Sequence, residues 1–181
     1  FLDGLSLRAQ AKGVAHKIKT LACSMEELPF EEGSLDVIWA EGAIYNVGFS
    51  RGVAYFKRFL KPGGILAVSE ITWLTNDRPE EIQRHWEAEY PEIATASEKI
   101  KTLASHGYML KGYFPLPESS WVEHYYEPLE RSFPTFLGIH DSKAAQEIVE
   151  AERSEMSLFK RHSAHYSYGF YIAQRLSSDP K

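Results

Sequence analysis

An α/β fold, with a mostly parallel sheet covered by helices on both faces, is what this sequence predicts, and three observations predict it. Leu35 to Ala40, reading Leu-Asp-Val-Ile-Trp-Ala, is a short apolar run of strand type. Val53, Phe56, Phe59 and Leu60 then recur at helical spacing. Lys61-Pro62-Gly63-Gly64 stops that helix, because proline cannot continue it and glycine readily turns the chain, and the apolar run Ile65 to Ser69 follows at once. Strand, helix and strand joined by short connections are the signature of parallel sheet packed under helices.

The remaining elements follow in order. Leu2, Leu5, Leu7 and Ala9 precede Gly13 and read as the end of a helix. Ile18 to Cys23 is mostly apolar and fits a buried strand, which leaves through a turn at Met25 to Phe30; Glu31-Glu32-Gly33-Ser34 introduces the next strand. After Arg78-Pro79, Ile82, Trp86 and Tyr90 share one helical face, which Pro91 ends. Ser97 is the expected cap of a helix burying Ile100, Leu103 and Ala104 and stopping at Gly107. Tyr108 to Phe114 reads as a strand and Trp121 to Phe136 as an aromatic helical segment. Asp141 is the expected cap of a helix with Ala145, Ile148, Val149, Met156 and Phe159 inward, and Tyr166 to Ala173 is the last strand. No repeat or linker interrupts this order, so a single domain over 1–181 is expected.

Composition narrows the function. With 181 residues, 44% hydrophobic and 25% charged, the chain can bury a substantial core. A net charge of -5 and a pI near 5.8, with lysines and arginines scattered, give no basic field for a phosphate backbone, so nucleic acid is not expected as a partner. No apolar run approaches the ~20 residues of a membrane span, so no membrane partner is expected either. The single cysteine, Cys23, excludes an internal disulfide, fits a reducing, cytoplasmic compartment, and reads as a buried inert thiol within its apolar run. His124, His140, His162 and His165 lack ligand spacing, so no metal is expected.

Three phrases stand together at fixed spacing: Cys23-Ser24-Met25-Glu26-Glu27-Leu28-Pro29-Phe30, then Leu35-Asp36-Val37-Ile38-Trp39, then Leu60-Lys61-Pro62-Gly63-Gly64 leading into a strand. In this order the chain resembles the class I S-adenosylmethionine-dependent methyltransferases, particularly the small-molecule group that looks like the ubiquinone and menaquinone biosynthesis enzymes. The phrase Glu41 to Phe49 looks like an uncharacterised bacterial and archaeal subgroup. The resemblance implies a Rossmann-like methyltransferase sheet of order 3-2-1-4-5-7-6, with cofactor across the carboxyl ends of the central strands. It maps Ile18 to Cys23, Leu35 to Ala40, Ile65 to Glu70, Tyr108 to Phe114 and Tyr166 to Ala173 to strands three to seven. Strands one and two, with the glycine-rich cofactor loop, have no counterpart. An unpaired buried backbone group costs ~1 to 3 kcal/mol, so about 70 further residues are expected upstream, enough for two strand–helix units.

The implied activity is transfer of a methyl group from S-adenosylmethionine, with S-adenosylhomocysteine as product, to a small planar or hydrophobic acceptor. Alignment of the two partners and exclusion of water carry such a reaction, so no fixed catalytic signature is required. By resemblance Ser24 and Met25 flank the adenine, while Glu41, Gly42 and Ala43 meet the methionine part, Glu41 facing its ammonium group and the glycine allowing close backbone approach. Tyr45 is a candidate for the reacting centre, and His85 and His124 are candidate bases, since imidazole takes a proton near neutrality. Glu70, Trp73, Trp86, Trp121, Tyr125 and Tyr126 are the expected acceptor-side residues, with Thr72 beside them and segments 74–97 and 117–164 as substrate-side lid. For each aromatic residue and for Met25 the alternative is ordinary core packing, for Ser24 a turn residue, for Glu41 a solvated acid and for each histidine a structural role. Two other functions stay open: a dinucleotide oxidoreductase, since Rossmann-like halves look alike, and a non-catalytic scaffold of methyltransferase shape. Oligomeric state is likewise open, a homodimer being one of the states allowed.

Overall fold

The computed structural model describes residues 1–177, so the last four residues of the expected domain lie outside the described residues. The chain divides into two compact units, Phe1–Glu31 and the remainder from Glu32.

In the first unit, α1 (Leu2–Ala11) ends before Gly13 as the sequence predicts. A single 3-10 turn at Ala15–Lys17 follows, and then the chain departs from expectation, because residues 18–34 form no strand. A strand is stabilised by ladder bonds to a neighbour, and no described strand pairs with 18–23. Local bonds take over instead. Ser24 holds a turn, its Oγ accepting from the Glu26 N–H at 3.2 Å and its carbonyl from the Glu27 N–H at 3.1 Å. Cys23 is consequently exposed and not buried.

The second unit is built on β1 (Leu35–Glu41), α2 (Phe49–Phe59) and β2 (Leu60–Trp73), with β1 and β2 parallel. The buried stripe of α2 includes Val53, Phe56 and Phe59, read from the sequence at helical spacing, and adds Phe49, whereas Leu60, read with them, already opens β2. At the stop, Gly63 takes φ of 81°, a left-handed conformation that favours glycine. The sheet continues through β5 (Tyr166–Arg175) and β4 (Tyr108–Pro115), both antiparallel, in the order β1-β2-β5-β4. In the family's numbering that is 4-5-7-6, as the resemblance implies. The two-residue β3 (Ala94–Thr95) pairs with the end of β2. β2 runs four residues past the predicted Ser69 because β5 stays in register with it as far as Trp73↔Tyr166, a long-range pairing that local sequence does not carry.

Around the sheet lie α3 (Glu80–Glu89), α4 (Ala96–Ser105), α5 (Glu118–Trp121), α6 (Glu127–Ile139) and α7 (Lys143–His162), with a π-helical turn at Val122–Tyr126 between α5 and α6. Two caps differ from expectation by one or two residues. Thr95, in a capping box with Glu98, starts α4 in place of Ser97, and Ser142, accepting from the Ala145 N–H at 3.2 Å, starts α7 in place of Asp141. Ile148, read as inward on α7, is 53% exposed, whereas Ala145, Val149, Met156 and Phe159 are buried. An aromatic core unites the helices with β2 and β5: Trp73, Trp121, Tyr126, Phe133, Phe159 and Tyr166 pack with Ile71, Ile82 and Val149.

Candidate functional site

A cavity of about 1130 Å³ opens at the carboxyl ends of the parallel pair β1 and β2, a little above the usual range for ligand pockets. Its floor is the strand ends: Glu41, the last residue of β1, Gly42 after it, and Ser69, Glu70 and Ile71 in β2, with Tyr168 and Phe170 of β5 beside them. Its roof is helical, with His85 and Trp86 from α3, Trp121 from α5, Tyr125 from the π-helical turn, and Glu152 and Glu155 from α7.

The floor is fixed by backbone geometry. Gly42 has φ of 51°, and a Cβ there would lie 3.7 Å from the Tyr168 hydroxyl, so a side chain would strain the turn and narrow the opening. Its N–H donates to Ser69 Oγ at 2.9 Å, tying the end of β1 to β2. Glu41 is exposed, and its Oε1 accepts from Trp39 Nε1 at 2.7 Å.

Glu70 is different. It is 1% exposed, and burial pushes its carboxyl up to about 7, Lys99 holding it down in part. Tyr90, which follows α3, faces the same region, and burial together with the Glu70 charge pushes its phenol far up. Four buried polar atoms of the cavity wall lack a well-formed hydrogen bond among the described residues, Glu70 Oε2, Trp86 Nε1, Tyr90 Oη and Glu152 Oε2, although Tyr90 still acts on Glu70 and Trp86 on Tyr166. Buried polar groups are ordinarily paired, so a cluster of such atoms around one cavity marks where a ligand's polar atoms belong. The Glu152 carboxyl is raised by burial and by its neighbour Glu155.

The roof is held by packing and one surface link. Trp121 stacks on Phe159 at 4.5 Å and on Tyr168 at 5.2 Å, and its Nε1 donates to Ser167 Oγ at 2.9 Å. Glu81 of α3 binds Arg161 and His162 of α7 at 2.5 and 2.8 Å, joining two roof helices.

Eight residues singled out from the sequence meet at this cavity: Glu41, Gly42, Tyr45, Glu70, His85, Trp86, Trp121 and Tyr125. Others lie elsewhere. Trp73 and Tyr126, expected on the acceptor side, are buried in the aromatic core at 3% and 2% exposure, Tyr126 donating to Glu155 Oε1 at 2.9 Å. Consecutive residues of a π-helical turn point in different directions, which sends Tyr125 to the cavity and Tyr126 inward. His124, from the same turn, is exposed and outside the lining, and Ala43 is half-buried outside it. Ser24 and Met25 belong to the first unit, exposed and half-buried respectively. Sequence reasoning missed Tyr90, Glu152 and Tyr168 as lining residues. Glu152 sits on the polar face of α7, which reads as ordinary solvated surface, so only the tertiary arrangement reveals it.

Comparison with known proteins agrees with this architecture. A family model described as a methyltransferase domain matches residues 3–68. The sarcosine/dimethylglycine N-methyltransferase of Aphanothece halophytica is 45% identical over 56 residues, a stretch covering 30% of this chain and 20% of that protein. Among solved structures, an S-adenosylmethionine-dependent methyltransferase from Geobacter sulfurreducens in complex with S-adenosylhomocysteine superposes with a TM-score of 0.77 at 19% identity, covering 93% of this chain and 68% of that one. The cyclase SpnF superposes with a TM-score of 0.72 at 17% identity, covering 96% and 61%. No helix among the described residues is long and apolar enough to cross a membrane. Residues 3–68 thus match the methyltransferase-domain model, the chain shares the fold of these solved structures, and it spans only part of its relatives' length, 20% of the Aphanothece halophytica protein and 61% of the cyclase.

Proposed function

We propose that this chain transfers a methyl group from S-adenosylmethionine to a small acceptor lodged under the helical roof. The observation that carries the reading is the cavity itself, placed at the carboxyl ends of a parallel strand pair and walled by buried polar atoms that lack a well-formed hydrogen bond. The residues present fit the cofactor. Gly42 lets backbone come close, and Glu41 supplies a carboxylate for an ammonium group. When bound, the cofactor supplies an electrophilic methyl group on a sulfonium.

The protein's own part is positioning and desolvation. Trp86, Trp121 and Tyr125 give the acceptor flat apolar walls, which supports the planar or hydrophobic class expected from the sequence, and segments 74–97 and 117–164 act as the lid that excludes water. Tyr45 and His85 line the cavity and are the remaining candidates from the sequence for contact with the reacting centre; His124, outside it, is not. The amine-directed name of the Aphanothece halophytica relative makes amines a second acceptor class.

Calorimetric titration with S-adenosylmethionine and S-adenosylhomocysteine tests the reading. Binding is expected in the wild type and at least tenfold weaker in Glu41→Ala and Gly42→Val. No binding by the wild type would favour a scaffold of methyltransferase shape, and unchanged affinity in both variants would remove the strand-end assignment.

A further inference from the structure

Among the described residues the cavity wall holds a buried carboxyl, Glu70, that Lys99 and the Tyr90 hydroxyl stabilise only in part, since burial still leaves it raised to about 7. Glu70 Oε2 has no well-formed hydrogen bond, and the cation that acts on it most, Lys99 of α4, has other partners as well. Lys99 Nζ donates to the Glu92 carbonyl at 3.2 Å and lies over the rings of Phe49 at 4.4 Å and Tyr90 at 5.4 Å. Lys99 lies outside the lining, and the lining's arginine, Arg161, is bound to Glu81. Glu41, Glu89, Glu152 and Glu155 add further carboxylates to the same wall, while Trp86, Tyr90 and Tyr168 offer aromatic surface. A carboxylate, aromatic rings and no uncommitted cation make an environment that attracts ammonium and repels anions.

We propose, on the reading that this cavity performs methyl transfer, that the acceptor is a small cationic amine whose nitrogen is held by Glu70 beside Trp86, Tyr90 and Tyr168, and that Glu70 takes its proton before methylation. The ammonium N–H proton passes to Glu70 Oε2, and the freed lone pair forms the N–CH3 bond as the S–CH3 bond breaks. S-adenosylhomocysteine and the methylated ammonium leave, and the proton on Glu70 returns to solvent. Burial pushes the Glu70 carboxyl up to about 7, which brings it into the range where it can take a proton near neutrality. The charged and titratable groups facing Glu70 are Lys99 from α4, Tyr90 and Glu92 from the segment between α3 and β3, and Tyr168 and Tyr171 from β5.

The competing role for Glu70 is that of a counter-charge to Lys99 alone. One isosteric pair, benzylamine against benzyl alcohol, with ethanolamine and catechol as a further amine and hydroxyl probe, separates the two by rates of S-adenosylhomocysteine release, together with calorimetric binding of tetramethylammonium, which cannot be methylated. Expected are turnover of the amines, a kcat/KM that rises with pH through about 7 as Glu70 ionises, and measurable tetramethylammonium binding. In Glu70→Gln the amine KM rises at least tenfold, the pH limb flattens and tetramethylammonium binding is lost, while S-adenosylmethionine affinity stays within about twofold. Release from the alcohol or catechol and not the amines overturns the inference. So do an unchanged amine KM and tetramethylammonium affinity in Glu70→Gln, or wild-type cofactor binding with neither amine turnover nor tetramethylammonium binding. Failure of the wild type to bind S-adenosylmethionine overturns the methyl-transfer reading itself, and this inference with it.

Discussion

The floor and the roof of the cavity are built by different physics. The floor is strand ends held by ladder bonds, by the Gly42 N–H to Ser69 Oγ bond and by a left-handed glycine, so its geometry is dictated by backbone. The roof is helices held by stacked rings and one exposed ionic link, so its geometry is dictated by side-chain packing. Backbone-built sites tolerate few residue types, whereas packed aromatic walls accept many shapes if volume is kept. Such a division suits a fold in which one floor serves many reactions and the roof selects the acceptor.

The largest effect is expected where the roof is cut at its centre. Trp121 is 6% exposed, touches Phe159, Tyr126, Tyr166 and Tyr168, and donates to Ser167. Trp121→Ala is expected to cost about 3–5 kcal/mol in chemical unfolding. Cofactor affinity, set at the floor, should move far less among the molecules that stay folded. Equal loss of both would mean that floor and roof are one unit.

Glu70 is where the two regions meet, and its pH dependence sharpens the boundary. Burial raises its carboxyl from the ordinary 4.5 to about 7, so the folded protein holds this proton more tightly than the unfolded chain. The stability this group contributes is present below pH 4.5 and is lost as pH rises to about 7. Lys99, lowered from 10.5 to about 8, acts in the opposite window: stability is lost as pH falls from 10.5 to about 8. The pair therefore weakens the fold most at pH 7–8. Glu70→Gln should raise unfolding free energy by about 1–3 kcal/mol at pH 7.5 and by distinctly less at pH 5, measured by urea titration. A loss of stability at pH 7.5 would show Glu70 to be a structural ion and not a charge kept for a ligand.

This division also explains what the sequence revealed. The strand, helix and stop from Leu35 to Ser69 are legible because each is written in local residues: an apolar run, a stripe at helical spacing, and Pro62-Gly63. The floor came with them, since Glu41, Gly42 and Glu70 sit at ends that the pattern marks. The roof was legible only as a collection of aromatics. Whether Tyr125 or Tyr126 faces the cavity depends on a π-helical turn that shifts the register, and Trp73 is core because β2 continues opposite Tyr166. Ile18 to Cys23 shows the limit from the other side, since an apolar run is a strand only where another strand completes its ladder.

Gly42→Val tests the floor alone. A β-branched residue at φ of 51° carries strain of about 1–3 kcal/mol, and its side chain would be directed at the Tyr168 hydroxyl. The expected result is a modest fall in melting temperature with at least tenfold weaker S-adenosylmethionine binding. Tetramethylammonium binding, assigned to Glu70, should be less affected. Loss of both ligands in proportion would place them in one undivided site.

The smallest effect is expected at the link between the roof helices. Glu81 is exposed, and its carboxyl is held below the ordinary range by His162 first and Arg161 second. Exposed pairs of this kind contribute little to global stability and are screened by salt. Glu81→Gln should therefore leave the unfolding midpoint nearly unchanged while speeding amide exchange in α3 relative to β1 and β2, more at low ionic strength than at high. Because the depressed carboxyl must ionise to hold the link, lowering the pH through its titration in the wild type should reproduce the variant's exchange pattern. If exchange in α3 is the same in wild type and variant at low salt, ring packing alone holds the roof, and the contrast with the floor becomes sharper still.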